Sequence, residues 1–373
     1  MEHHFSGPSF TIGIEEELMI VDAESLELVN AIESLLEDAA EGEIKPELME
    51  CVLELSTNPC ADTVEAGAEL RALRRRVIDS AAGKGLTIGS AGTHPFAMWE
   101  DARIVQRPRY RELISALRFV ARQELIFGLH VHVGLDDPDK AIHVANGMRL
   151  HLPILLALSA NSPFWRADPT GLMSSRTPIF RAFPRVGVPP EYRDWGDYSR
   201  QIEQMVDAGV MADYTYLWYD VRPHPRFGTV EVRVCDAQTR VEHTLALAAL
   251  IQAMVHELAV GFDAGRPVPH VPWQLIDEMK WLAARHGLAG DLLELPSTER
   301  VGAREMARGL LARLREHAQQ LGSAAELEGI EDLLERGSGA ERQVVVYEVN
   351  HDLREVMAEI VEATGAMPSR PPT

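Results

Sequence analysis

The chain has 373 residues, 46% of them hydrophobic, and carries a formal net charge of -21 from 57 acidic against 36 basic side chains. That length accommodates one large domain or two ordinary ones, and the charge opposes nonspecific binding to nucleic acid or to an anionic membrane, so an anionic substrate has to be met by local basic groups or by a bound metal. The opening "MEHHFSGPSF" lacks an apolar signal-peptide core, no run reaches the roughly 18 uninterrupted apolar residues of a membrane span, and Cys51, Cys60 and Cys235 form no CxxC pair; the expectation is a cytoplasmic protein with reduced thiols and neither a nucleic-acid nor a membrane partner.

The first predicted strand is "FTIGIEEELMI", Phe10 to Ile20. Side chains alternate along a strand, so Glu15 and Glu17 share a face with Gly13, while Ile12, Ile14 and Leu18 share the other. Two carboxylates side by side repel unless a cation sits between them. Glu16 points away and is expected to tolerate change. A helical stretch at Ile32 to Ala40 follows, then "KPELMECVLELSTNPC", which allows a strand or a short helix. As a helix it places several of Glu47, Glu50 and Glu54 on one face, with Glu54 deepest between Leu53 and Leu55; a solvated acidic face accounts for the pattern equally well. Thr63 to Ala82 has amphipathic helical periodicity, and its basic run "RALRRR" reads as a solvated face. "GLTIGSAGTHPF" is a strand ending in a turn in which His94 makes local hydrogen bonds, and Tyr110 to Leu125 is a further helix.

"IFGLHVHVGLDDPDKA" is the next strand, with His130, His132 and Gly134 on one face. Helical periodicity runs from Lys140 to Ser159. The section Asp168 to Asp197 is rich in Pro, Arg and aromatics; a loop that long is functional or disordered, and its aromatics argue against disorder. In the last clear strand, "FGTVEVRVCDAQT", Glu231, Arg233 and Cys235 face one way and Val230, Val232 and Val234 the other. The nearly all-apolar segment from Val241 to Phe262 belongs in the core, and beyond Pro272 the chain reads as successive helices to about Glu362, before a Pro-rich tail. Strands and helices without strict alternation indicate an α+β fold with an antiparallel sheet.

A half-exposed sheet alternates in this way without any function. The residue types are what differ: Glu, His and Arg stand where exposed faces usually carry Thr, Lys or Ser. If the strands are neighbours, their polar faces pool into an acidic floor with imidazole and guanidinium groups, suited to Mg²⁺ or Mn²⁺ bridging nucleotide phosphates. Arg233 would then neutralise phosphate charge. Cys235 fits a small buried filler better than a catalytic thiol, and His130 a group supporting His132.

The blocks "GIEEE", "LELSTNPC", "GSAGTHPF", "FGLHVHVGLDD", "ALSANSPFW", "SSRTPIFRAFPRVG" and "VRPHPRFGTVEVRVCDAQ" resemble, in order and spacing from about Phe10 to about Leu258, the type 2 glutamate-cysteine ligase family, specifically the YbdK-type carboxylate-amine ligases. The resemblance implies a fold related to the glutamine synthetase catalytic domain, with a curved antiparallel sheet forming a funnel and helices packed outside. It implies a single catalytic domain over residues 1–373, with the sheet and active site in 10–262 and a mostly helical part in 263–373. It also implies ATP-dependent amide formation through an acyl phosphate with Mg²⁺ or Mn²⁺, L-glutamate and L-cysteine as substrates, and, by analogy, a homodimer. Residue by residue, it carries metal-binding roles onto Glu15, Glu17, Glu47, Glu54, His132 and Glu231. Arg233 and Glu54 become the catalytic pair, and Arg233, Arg176 and Arg181 the groups facing nucleotide phosphate or substrate carboxylate. Two other readings compete: a metal-dependent amidohydrolase built on His130 and His132, which requires a regular βα repeat, and a nucleotide-binding sensor without turnover.

Overall fold

The computed structural model describes residues 1–39, 42 and 44–365. Among these, a seven-stranded sheet organises the chain. Its strands are β1 (Ile12–Asp22), β2 (Ile44–Pro46), β3 (Val52–Ser56), β4 (Leu86–Gly89), β5 (Gly128–Gly134), β6 (Val221–His224) and β7 (Thr229–Asp236). They run in the order β6-β7-β5-β1-β3-β2, with β4 paired to the far end of β1, and every pairing is antiparallel. The register sets Glu15 opposite His130, Glu17 opposite Glu54, and Glu231 opposite His132. Residues directly opposite in a sheet share a face, so pairing alone gathers the acidic and imidazole side chains on one side. The pooling of polar faces expected from sequence is thereby met.

The other face is apolar. Ile12, Ile14, Val131, Val133, Val230 and Val232 are buried in one core cluster with helix α5 (Val241–Asp263). Helices α1 (Thr63–Ala82), α3 (Pro138–Met148) and α4 (Leu152–Ser159) join it on that side, while α2 (Pro108–Leu117) lies across the polar face. Alanines at 246, 248, 249 and 253 let neighbours approach α5 closely, and at Gly67 of α1 a Cβ would lie 2.9 Å from Leu245 Cδ1, closer than carbon atoms pack. Val241–Asp263 and the segment Pro138–Ser159 are long and apolar enough to cross a membrane by composition, yet each is 78% buried inside the protein, as core helices are.

Several elements differ from the sequence reading. "KPELMECVLEL" is a β2–β3 hairpin, Lys45 opposite Glu54, because Ile44, Leu53 and Leu55 fill the apolar side of a sheet. Glu47, Glu50 and Glu54 therefore share no helical face, and Glu50 pairs outward with Arg103 at 2.9 Å. The helix of Tyr110 to Leu125 is two helices, Pro108–Leu117 and Phe119–Arg122, broken where Arg118 takes a φ of 55°. Lys140 to Ser159 is likewise divided by a 3-10 turn at Arg149–His151, just before Pro153. Beyond Pro272 the helices are interrupted by a hairpin of Asp291–Glu294 with Glu299–Gly302. The early helix is shorter than read, Ile32–Leu36; Ala40, where the reading ended it, and the Pro-rich tail of residues 366–373 lie outside the described residues.

The largest correction concerns Glu16. It does point away from the polar face, but into a fully buried ion pair: Arg74 donates Nε to Oε2 at 2.8 Å and Nη2 to Oε1 at 2.7 Å, and the Thr244 hydroxyl donates to Oε1. Arg74 also donates to the carbonyls of Thr239 and Gln238, each at 2.8 Å. The "RALRRR" run is thus not wholly a solvated face, and Glu16 is not a position free to change.

Candidate active site

The polar face of β1, β3, β5 and β7 floors a cavity of about 410 Å³. Arg109, Tyr110 and Leu113 of α2 form one wall; Arg176, Phe180 and Phe183 from the long irregular section, with Tyr214 to Trp218, form another. Two aromatics of that section, Phe180 and Phe183, pack at the cavity, Phe183 edge-on to Trp218, while Tyr192 and Trp195 pack against Tyr198 in a separate cluster.

Glu15, His132 and Glu231 stand closest together. One donor atom from each lies within 4.8 Å of the other two. His132 Nε2 is 3.8 Å from Glu15 Oε2 and 3.9 Å from Glu231 Oε1, and it is buried with no hydrogen-bond partner among the described residues. Its Nδ1 is hydrogen-bonded to Thr229 Oγ1 at 2.9 Å, which fixes the ring and aims Nε2 at the two carboxylates. Two carboxylate oxygens and an orphaned imidazole nitrogen converging on one point fit a divalent cation, and the oxygen-rich surroundings fit Mg²⁺ or Mn²⁺ better than a closed zinc site. His130 backs Glu15, with Nδ1 3.3 Å from Oε2.

The carboxylates divide electrostatically. Burial works against ionised Glu15, but hydrogen bonds and charge from His130 and His132 outweigh it and hold its pKa well below the ordinary carboxylate range. Glu231 follows the same pattern, burial being overcome by Arg222 and Arg233. Glu54 and Glu47 go the other way: burial raises both, reinforced by Glu15 for Glu54 and by Glu54 and Glu17 for Glu47. Acids this crowded repel one another: burial and mutual charge push Glu47 and Glu54 up while histidine and arginine hold Glu15 and Glu231 down, a crowding that added positive charge would relieve.

Arginines complete the site. Arg222 faces Glu231 across the β6–β7 hairpin and donates Nε to Oε2 at 2.7 Å; Arg233 pairs with the other oxygen of Glu231, and the Arg233 Nε has no hydrogen-bond partner among the described residues. Arg176, buried, donates to the carbonyls of Val234 and Arg233 at 3.3 and 3.2 Å and lines the cavity. Arg181 does not reach it: one helical turn further on, it pairs with Asp277 of α6 (Trp273–His286) and lines a separate hollow of about 260 Å³. Glu17, Glu47 and Glu54 all line the main cavity.

Two residues singled out in the sequence behave structurally. His94 is fully engaged, Nδ1 accepting from the Phe96 and Ala97 amides as the turn predicts, and Nε2 lying 2.9 Å from the distant Leu26 carbonyl. Cys235 is corrected off the polar face: a bulge between Val232 and Cys235 breaks the alternation, so Val234 and Cys235 are both buried, and burial pushes the Cys235 thiol up to about 12. The main sheet, antiparallel throughout, also lacks the βα repeat that an amidohydrolase barrel requires.

Among the cavity residues that escaped the sequence reading, three show why. Arg222 was detectable, since counting back from the "PRFG" turn places it opposite Glu231. Lys45, which donates to Glu54 at 3.1 Å and Ser56 at 2.8 Å, became visible only with the β2–β3 register. Glu124, its carboxyl pushed up to about 8 by burial and with Oε2 unpartnered, left no pattern, because only tertiary packing brings it to the cavity.

Comparison with known proteins agrees with this geometry. Residues 11–363 match the sequence model of glutamate-cysteine ligase family 2. A relative from Rubrobacter xylanophilus, provisionally named glutamate–cysteine ligase 2-1, is 43% identical over 368 residues, covering 98% of this chain and 97% of the relative. One from Sorangium cellulosum, provisionally named glutamate–cysteine ligase 2, is 41% identical over 358 residues, 95% of this chain and 96% of its own. Among solved structures, glutamate–cysteine ligase from Francisella tularensis in complex with AMP superposes with a TM-score of 0.69 at 15% identity, over 97% of this chain and 90% of that one. A bifunctional glutathione synthetase from Pasteurella multocida gives 0.65 at 15% identity, over 95% of this chain and 52% of that one. At such identity these two structures establish the shared fold. What the sequence match and the cavity together define is an ATP-dependent carboxylate–amine ligase. The chain belongs to glutamate-cysteine ligase family 2.

Proposed function

We propose that the chain joins the γ-carboxylate of L-glutamate to the amine of L-cysteine, using ATP and Mg²⁺ or Mn²⁺. The observation that carries the metal-dependent reading is the convergence of Glu15, Glu231 and the orphaned Nε2 of His132. A carboxylate is a poor electrophile. In the first step its oxygen bonds to the terminal phosphorus of ATP and the bond to ADP breaks, giving an acyl phosphate. The amine nitrogen then bonds to the acyl carbon, the C–O bond to phosphate breaks with its electron pair on phosphate, and the nitrogen gives up a proton.

A cation held by Glu15, His132 and Glu231, with Glu17, Glu47 and Glu54 around it, would neutralise charge on the phosphate oxygens. Arg233 meets the transferred phosphoryl group, held in place by Glu231, which Arg222 fixes in turn. Arg176 faces phosphate from the adjoining wall, with Arg181 beyond it toward the second hollow. Glu54, backed by Lys45 and Ser56, takes the amine's proton. Residues 1–373 act as one catalytic domain: Leu310, Leu314 and Ile330 of the later helices share the core cluster of α5 and the sheet. A cytoplasmic setting and a homodimer accompany this reading by analogy with the family.

The test is a screen of amino-acid pairs for ADP release with Mg²⁺, with the ligated product identified by mass. A γ-glutamyl amide formed only with the metal present supports the reading. Metal-independent turnover, or ADP release with no new amide, would overturn it.

A further inference from the structure

A second hollow, of about 360 Å³, opens beside the main cavity, and Glu15, Lys45, His132, Arg226 and Phe227 border both. Its own walls come from the first residues of β1, the segment Ser56 to Pro59, and Thr229. Their hydroxyls are already engaged: Thr57 Oγ1 accepts from the Ile14 amide at 3.0 Å, Ser56 Oγ donates to Glu54 at 2.9 Å, and Thr229 Oγ1 bonds to His132. Away from the border with the main cavity, then, the hollow presents Pro59, Phe227 and hydroxyls already bonded. It suits an uncharged side chain and has room for one well beyond a CH₂–SH group.

The cations narrow the assignment. Of those lining the main cavity, Arg222 and Arg233 are held by Glu231, Arg176 by backbone carbonyls, and Lys45 by Glu54 and Ser56. Arg109 and Arg226 are exposed and form no ion pair among the described residues; Arg109 borders the main cavity alone, while Arg226 stands between the two compartments. An uncommitted guanidinium is the group that reads a substrate carboxylate.

We propose that this hollow seats the acceptor amine as an α-amino acid, its carboxylate on Arg226, its uncharged side chain in the hollow, and its nitrogen turned toward the Glu15 and His132 side of the main cavity. The inference rests on the ligase reading above, and it makes Arg226 a specificity-determining residue.

Two matched pairs of acceptors test it, L-cysteine with cysteamine and L-leucine with 3-methylbutylamine, with L-glutamate as the acid and ADP release as the readout. In the wild type each amino acid has a KM at least tenfold below its carboxylate-free partner, and L-leucine is used. In Arg226→Gln the KM ratio within each pair collapses toward one, and Arg226→Lys restores part of it, which a merely structural role would not do. Ratios equal in wild type and R226Q, or amines used as well as their amino acids by the wild type, would overturn the subsite. The ligase chemistry is checked separately by hydroxamate formation from ATP, L-glutamate and hydroxylamine, which needs no acceptor carboxylate. Hydroxamate with unchanged ratios removes this inference alone; no hydroxamate removes both.

Discussion

Glu15, Glu16 and Glu17 are chemically identical, adjacent in the chain and carried by one strand, yet they end in opposite circumstances. Glu16 is fully buried, and the protein itself answers both of its oxygens, through Arg74 and Thr244. Glu15 and Glu17 face a cavity and stand among Glu47, Glu54 and Glu231. Burial does not distinguish the two situations, since Glu54 and Glu231 are nearly as buried as Glu16. Closure does. A structural charge has its counter-charge and donors built in, whereas a functional one keeps repulsion, or an unpaired partner such as His132 Nε2, that a ligand relieves.

The contrast breaks most visibly in activity. Glu15→Gln is expected to lower ATP turnover by about a hundred- to a thousandfold, as is Arg233→Ala, the range seen when a group stabilising transition-state charge is lost. For Glu15→Gln the thermal unfolding midpoint should hardly move, because easing the crowding around Glu54 offsets the attraction lost to His130 and His132. Steady-state ADP release beside a melting curve checks both halves; wild-type turnover in either variant would refute the site.

The reverse is expected across the strand. Glu16→Gln leaves Arg74 charged and buried without its counter-ion, which costs about 3–5 kcal/mol of stability. Urea denaturation should show that loss, and a Glu16→Met, Arg74→Leu double variant should recover much of it by removing both charges together. A Glu16→Gln protein as stable as wild type would mean that the ion pair is not the closed unit described here.

What the sequence made legible follows the same line. Period-2 alternation placed Glu15, Glu17, His130, His132 and Glu231 on the correct faces, because each lies in a regular stretch of strand; Arg233, the first residue of the bulge, still reaches the cavity. Alternation failed at Cys235, where a bulge inserts a residue that periodicity cannot register. It left "KPELMECVLEL" open between strand and helix, because helical and extended spacing both fit and only packing of Ile44, Leu53 and Leu55 decides for the strand. Glu16 with Arg74, and Glu124, were invisible for a different reason: a pairing across 58 residues, or a carboxyl brought to a cavity by distant packing, has no local pattern.

His94 extends the comparison to a titrating group. It is closed as Glu16 is, one ring nitrogen bonded to the Leu26 carbonyl and the other accepting from two amides, an arrangement that requires the neutral ring; burial pushes its pKa down to about 4. In the unfolded chain the ring takes up a proton near its ordinary value, about 6.5. Stability from this group is therefore complete above that value, falls as pH drops toward the folded pKa, and falls no further below it. The total is about 3 kcal/mol, at 1.36 kcal/mol per pH unit. His94→Asn should flatten the stability curve over that window relative to wild type, and parallel curves for the two proteins would contradict the assignment.

The smallest effect is expected at Arg181, set against Arg176, which begins the short helix Arg176–Phe180 that Arg181 follows. Arg176 is buried and bonded to the backbone of β7, so Arg176→Ala removes both a cavity wall and two anchoring hydrogen bonds, and turnover should drop more than tenfold. Arg181 has a side chain 55% exposed and pairs with Asp277 in the neighbouring hollow. An exposed ion pair is worth at most about 1 kcal/mol. Arg181→Ala should accordingly leave kcat within about twofold, and any change should appear in the KM for ATP, since the hollow adjoins the cavity through Arg176 and Phe180. A tenfold fall in kcat would place Arg181 among the groups that touch the transferred phosphate and would erase the distinction drawn between the two arginines.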